Sequence, residues 1–233
     1  LALHIFADHH LRILPLPVDQ DGLIIESLEQ KLKESRPAFL YTIPTFQNPS
    51  GYTLSAERRD RLVQLSREYN FRIVADEVYH LLNFAGKPPK PLASYAEQGS
   101  IISLGSFSKI LAPGLRLGWI QTDPDHAKSL AGCGLVDSGG GLNPFTAGIV
   151  RGLFENDELK ENIRRLRTIY QERATAMDLA LRKHLPNAQY LAPRGGYFFW
   201  VRLPGGQDAE ALMQRAEEEK VSYRPGVRFS SER

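Results

Sequence analysis

Along the first half of the chain, short apolar runs alternate with stretches in which apolar residues recur every three or four positions. This alternation predicts βα repeats and a largely parallel sheet, whose strands are buried on both faces and joined by helical crossovers. Residues 11–18 read as a strand, 27–35 as a short helix and 39–43 as a buried strand. Ser55 is placed to cap a helix reaching residue 70, with Leu62, Leu65 and Tyr69 on one face. Residues 71–75, 100–104 and 117–122 read as three further strands.

The second half changes character. Leu159, Ile163, Leu166, Tyr170, Met177 and Leu181 follow a helical period between residues 156 and 184. A helix of that length would span roughly 40 Å, enough to bridge two lobes. Beyond it the pattern predicts a strand pair around Tyr190 and at 197–203, a helix at 208–220 and a short strand at 221–223. A smaller α+β lobe follows from that order. The boundary is expected near Arg151, with 1–150 belonging to a larger domain and 151–233 to a smaller one.

Composition narrows the class. At 233 residues, 42% hydrophobic and 24% charged, the chain can bury a sizeable core as one domain or one and a half. Its 29 basic and 27 acidic residues are interspersed, so no charged run suggests a nucleic-acid or membrane surface. No apolar stretch approaches the about 18 residues of a membrane span. The lone Cys133 excludes an internal disulfide and a cysteine-rich zinc site, and makes a cytoplasmic location the default. The chain opens at Leu1 without a signal-peptide pattern and closes at Arg233 in loop-like sequence. Both ends read as cut, and a piece of a longer protein is expected.

Four short constellations carry candidate chemistry. Pro44-Thr45-Phe46-Gln47-Asn48-Pro49-Ser50-Gly51 follows a buried strand, and its Pro and Gly turn the chain at the edge where open α/β sheets bind ligands. Asn48 then offers an amide to the crevice, or serves an ordinary Asn-Pro turn. Asp76-Glu77-Val78-Tyr79 puts two acids at a strand end. A Walker B strand would need a G-x-x-x-x-G-K-[ST] loop, which is absent, and a turn-capping Asp76 is the plain alternative. Ser106-Phe107-Ser108-Lys109 crowds hydroxyls around one lysine. The Ser-x-x-Lys pattern of penicillin-binding proteins lacks its K-T-G and S-D-N partners here. A desolvated lysine is a nucleophile towards aldehydes, whereas a surface lysine is inert. Arg116, seven residues after Lys109, follows a Pro-Gly turn and is expected to start the next strand, its fork suited to a phosphate. No metal site is expected at His9, His10 or His80.

Taken together, Asn48-Pro49-Ser50-Gly51, Asp76-Glu77-Val78-Tyr79, Ser106-Phe107-Ser108-Lys109 and Arg116-Leu117-Gly118 resemble the class I/II aminotransferases. These are fold type I enzymes that use pyridoxal 5′-phosphate (PLP). The resemblance is strongest to the branch holding 2-aminoadipate and aromatic aminotransferases and the aminotransferase-like domains of MocR-type regulators. It extends from Asp19-Gln20-Asp21-Gly22-Leu23 to Gly195-Gly196-Tyr197-Phe198-Phe199-Trp200. It implies a mostly parallel sheet flanked by helices, part of a large PLP-binding domain over 1–150, and part of a small domain over 151–233.

The resemblance also implies roles. Lys109 would form a Schiff base with the cofactor's aldehyde and shuttle the substrate's α-proton. Asp76 would pair with the pyridine nitrogen, and Tyr79 and Asn48 with the 3′-oxygen. Ser106, Ser108 and Arg116 would hold the phosphate. The implied reaction moves an amino group between an amino acid and a 2-oxo acid, in a homodimer. Asn143-Pro144-Phe145-Thr146 resembles a region near the family's subunit interface. The family's Gly- and Ser-rich phosphate turn and ring-stacking aromatic would lie upstream of Leu1, and its carboxylate-binding arginine beyond Arg233. Two alternatives stay open: the effector domain of a MocR/GntR-type regulator, whose DNA-binding part would lie outside this segment, and another PLP reaction such as a lyase or decarboxylase.

Overall fold

The computed structural model describes residues 2–98, 100–141 and 143–230. The chain begins with helix α1 (Ala2–Asp8) and a short antiparallel pair, β1 (Val18–Asp19) and β2 (Gly22–Leu23). Helix α2 (Ile25–Glu34) then leads to β3 (Phe39–Thr42), and α3 (Ala56–Glu68) to β4 (Arg72–Asp76). Strands β5 (Ile101–Ser106) and β6 (Gly118–Thr122) complete a sheet of order β3-β4-β5-β6. Helices α4 (Pro124–Ala131), α5 (Gly134–Asp137), α6 (Pro144–Glu155), α7 (Glu158–His184) and α8 (Met213–Glu218) follow.

Strands β3, β4 and β5 run parallel, and β6 lies antiparallel on β5. The α/β class and mostly parallel sheet are as the alternating pattern predicts. Ser55 caps α3 as expected, its Oγ accepting from the Arg58 N–H at 3.3 Å. Ile25, Leu28 and Leu32 of α2 and Leu62, Val63 and Leu65 of α3 form one apolar cluster with Ile73, Ala75 and Ile101 of the sheet. Full burial of each large aliphatic side chain there contributes about 1.5–3 kcal/mol. A second cluster gathers Leu82, Phe107, Ile110, Val150 and Leu159, with Ile163, Leu166 and Tyr170 packed against it. Through it the long helix α7 holds the lysine-bearing turn.

Several predicted elements differ. Residues 11–17 form no strand, because Pro15 and Pro17 remove ladder donors, and pairing begins only at Val18. The strand pair near Tyr190 is reduced to one bridge, Gln189 with Arg202. The Arg194 carbonyl instead accepts from the Phe84 and Ala85 N–H groups, and Gly195 bridges Asn83, so this backbone is committed to the first half. The helix expected at 208–220 is confined to Met213–Glu218. Residues 221–223 stay irregular after Lys220, which takes a positive φ of 60°. Met177 lies outside the core, 46% exposed on α7.

Candidate active site

The sheet brings the four constellations to one edge. The parallel strands β3, β4 and β5 end at Thr42, Asp76 and Ser106, and the antiparallel β6 starts beside Ser106 at Gly118. Asn48 therefore lies six residues past one strand end, Tyr79 three residues past the next, and Lys109 three residues past the third. Arg116 lies just ahead of β6 at the same edge. Open α/β sheets bind ligands there because the loops leaving parallel strands all emerge on that side.

Asp76 and Glu77 are adjacent in sequence but serve opposite sides of the strand. Asp76 Oδ2 accepts from the Tyr41 hydroxyl at 2.6 Å, while Oδ1 is buried without a partner among the described residues. Glu77 turns into the core. It accepts from the Leu92 N–H at 2.8 Å, the Ala93 N–H at 2.9 Å and the Ser103 hydroxyl at 2.9 Å. Glu77 thus caps a structural turn, and Asp76 keeps an oxygen free at the sheet edge.

Asn48 follows the same logic: its Oδ1 is the other buried side-chain atom found without a partner among the described residues. Its neighbour is Tyr79, which is only 5% exposed. Burial pushes the Tyr79 phenol above its ordinary range, a hydrogen bond with the Asn48 side chain draws it partly back, and the charge of Asp76 adds to the rise. Asn48, Asp76 and Tyr79 are thus brought together.

Lys109 sits half-buried in the turn after β5. Its carbonyl accepts from the Tyr197 hydroxyl at 2.5 Å, and the Asn162 amide donates to the next carbonyl, Ile110, at 2.8 Å. The Tyr197 ring meets Tyr79 edge-on at 5.8 Å, and Phe198 meets Tyr79 at 5.7 Å. Aromatic residues of the second half therefore join the lysine turn to the Tyr79 segment. Gly195 and Gly196 let them approach: a Cβ on Gly195 would come within 2.2 Å of the Phe46 ring, and Gly196 has φ 71°.

Ser106 Oγ accepts from the Ser108 N–H at 3.1 Å, which folds the Ser106–Ser108 turn. Arg116 departs from its expected place. It does not start the strand but ends a 3₁₀ turn, Pro113–Leu115, at φ 49°, with its exposed guanidinium donating to the Pro113 carbonyl at 3.3 Å.

Two participants escaped the sequence reading. Tyr41 holds Asp76 from the neighbouring strand, and nothing local in the sequence links residues 35 apart. Arg59 has no exposed surface. Its Nε donates to the Leu54 carbonyl at 2.9 Å, Nη2 to the Pro44 carbonyl at 2.7 Å and Thr45 Oγ1 at 2.8 Å, and Nη1 to the Lys90 carbonyl at 3.2 Å. Burial pulls the guanidinium down to about 10, against the opposing charges of Glu77, 3.8 Å away, and Tyr95. Its helical register with Leu62, Val63 and Ser66 was the available signal, since all four lie on the buried face of α3.

Among the described residues no cluster of three or more His, Cys, Asp or Glu could hold a metal ion, and no helix is long and apolar enough to cross a membrane.

The family described as aminotransferase class I and II matches residues 4–232. The chain belongs to that family. It is 36% identical over 240 residues to aromatic-amino-acid aminotransferase 1 of Thermococcus litoralis, covering 100% of this chain and 57% of that protein. It is 30% identical over 236 residues to the HTH-type transcriptional regulator YisV of Bacillus subtilis, covering 99% of this chain and 48% of that one. Among solved structures, LysN of Thermus thermophilus, an α-aminoadipate aminotransferase complexed with N-(5′-phosphopyridoxyl)-L-leucine, superposes with a TM-score of 0.88 at 34% identity. That match covers 98% of this chain and 59% of LysN. This aminotransferase-family chain therefore has the α/β fold of PLP-dependent fold type I enzymes, over little more than half the length of these two aminotransferases.

Proposed function

We propose that this protein is a PLP-dependent aminotransferase, moving an amino group between an amino acid and a 2-oxo acid at the edge formed by Asn48, Asp76, Tyr79 and Lys109. The observation that carries the reading is the unpartnered buried carboxylate oxygen, Asp76 Oδ1, beside the hydrogen-bonded Asn48 and Tyr79 side chains. Buried polar atoms are almost always paired, and Asp76 is the residue that the family resemblance sets against the ring nitrogen, with Asn48 and Tyr79 set against the 3′-oxygen. The donor set fits the group.

Lys109 would hold PLP by its aldehyde, and the bound group would supply an electron sink for the substrate's α-carbon. Asp76 would hold a proton at the ring nitrogen through Oδ1, while Tyr41 keeps Oδ2 fixed. The Tyr79 hydroxyl and the Asn48 Nδ2 would donate to the 3′-oxygen and stabilise its charge. Ser106, Ser108 and Arg116 would bind the phosphate. The Lys109 amine would take the substrate's α-proton and return it as general base and acid.

The same reading carries a cytoplasmic homodimer, with residues 1–150 in a large domain and 151–233 in a small one. Phe145, 79% exposed at the start of α6, supports a surface covered by another subunit. The similarity to YisV supports a second reading, an effector domain that binds PLP and an amino acid to report their levels. A third is a lyase or decarboxylase on the same scaffold.

Adding PLP to the full-length protein should give a visible band near about 400 nm that Lys109→Ala abolishes. Incubation with amino acids and 2-oxo acid acceptors then separates the readings. An amino group on the acceptor supports transamination, free ammonia or carbon dioxide a lyase or decarboxylase, and turnover-free binding with specific DNA retention the regulator.

A further inference from the structure

The loop carrying Asn48 is closed at a neck. The Leu54 N–H donates to the Pro44 carbonyl at 2.8 Å, and inside the loop the Gln47 N–H donates to the Tyr52 carbonyl at 2.9 Å. Arg59 reaches back from α3 to this neck and bonds both sides of it, through the Leu54 and Pro44 carbonyls, and Thr45 as well. On its other side the same guanidinium faces the Lys90 carbonyl and Glu77, the residue after Asp76. Thr45 Oγ1 in turn lies 3.4 Å from His80 Nδ1, the residue after Tyr79.

A fully buried guanidinium is costly unless its donors are met, and an apolar residue would fill this helix face without that penalty. Here the donors are spent on the neck of the Asn48 loop and the Lys90 turn, while Glu77 of the Asp76–Tyr79 segment faces the guanidinium as an ion pair at 3.8 Å. None of these contacts reaches the open edge itself. The cation acts on the loops that carry the site's side chains.

We propose that Arg59 is a positioning residue that clasps the neck of the Asn48 loop against Glu77 and so fixes the separation of Asn48 and Tyr79 across the cofactor's 3′-oxygen. The proposal rests on the functional reading above and names a part of the machinery that does not touch the cofactor.

The test compares full-length parent, Arg59→Met, Arg59→Lys and Thr45→Val by two readouts. The first is amide hydrogen exchange in the PLP-free protein. Arg59→Met should speed exchange at Leu54 and Gln47 by about tenfold or more, leaving the Ile73 and Ala75 amides of β4 near the parent rate. The second is the pH midpoint of the visible band with PLP bound. Weaker donation to the 3′-oxygen makes the imine nitrogen more basic, so the midpoint should rise by about half a unit to one unit. Arg59→Lys should recover at least half of that rise, and Thr45→Val should give a smaller rise of the same sign. If Arg59→Met does not fold, the lysine and valine variants carry the comparison. Exchange that accelerates equally in the loop and in β4, or midpoints unchanged in every variant, would overturn the clasp. A parent with no visible band defeats the functional reading and the 3′-oxygen role with it, whereas a normal parent band with unmoved variants defeats the clasp alone.

Discussion

Replacing Tyr41 with phenylalanine removes a single oxygen and tests how the site holds its buried acid. The Tyr41 hydroxyl donates to Asp76 Oδ2 at 2.6 Å, and the ring lies edge-on to Phe6 at 5.6 Å between centroids. Burial, then the charge of Asp76 and its hydrogen bond, push the phenol far above its ordinary range, so Tyr41 stays a neutral donor wherever the protein is folded. A hydrogen bond to a charged acceptor contributes about 1.5–3 kcal/mol net. The phenyl ring keeps its contact with Phe6, so little packing is lost. The other Asp76 oxygen is already without a partner among the described residues, so none of their donors compensates. Tyr41 is only half-buried, and the lower end of that range applies, about 1.5–2 kcal/mol. Urea unfolding of the PLP-free protein reads this loss as a lower midpoint at unchanged slope. A cycle with Asp76→Ala should return a coupling of about 1 kcal/mol or more. Stability within about 0.5 kcal/mol of the parent, or additive single variants, would show that this bond does not hold Asp76.

Gly195→Ala should force the Phe46 ring aside and lower stability by about 1–3 kcal/mol, read as a depressed thermal midpoint; an unchanged midpoint contradicts the close approach. The His80 imidazole is held below its ordinary range by burial, a shift that Glu77 opposes and Arg59 and Arg167 reinforce. The unfolded chain therefore binds the proton first, so this stability is full above about pH 6.5 and is lost as pH falls below it. His80→Gln should flatten the stability profile over that acidic window, and a slope equal to the parent's would assign it to other groups.

The sequence made α2, α3, α7 and the sheet edge legible, because each depended on local pattern, whereas α1, α4, α5 and α6 were not foreseen. Leu62 and Leu65 recur at helical spacing, and Asn48, Asp76 and Lys109 each follow a short apolar run, so the strand ends and the candidate residues beyond them were readable together. What escaped depends on distant partners. The pairing of Tyr41 with Asp76 crosses strands, and the burial of Arg59 is decided by carbonyls at Pro44, Leu54 and Lys90. Residues 197–203 carry strand-like composition, yet Gly195 and the Arg194 carbonyl bond to residues 83–85, and that commitment outweighs propensity. Arg116 was expected to open β6, and the Pro-Gly turn before it instead places it in a left-handed conformation.

Borohydride trapping addresses the main chemical assignment without requiring a substrate. The full-length protein is incubated with PLP, reduced, digested and mapped by mass spectrometry. The predicted result is a phosphopyridoxyl group on the peptide containing Lys109, lost when Asp76 and Tyr79 are both replaced by alanine; labelling of Lys87 or Lys90 instead, or of no lysine, would contradict the assignment.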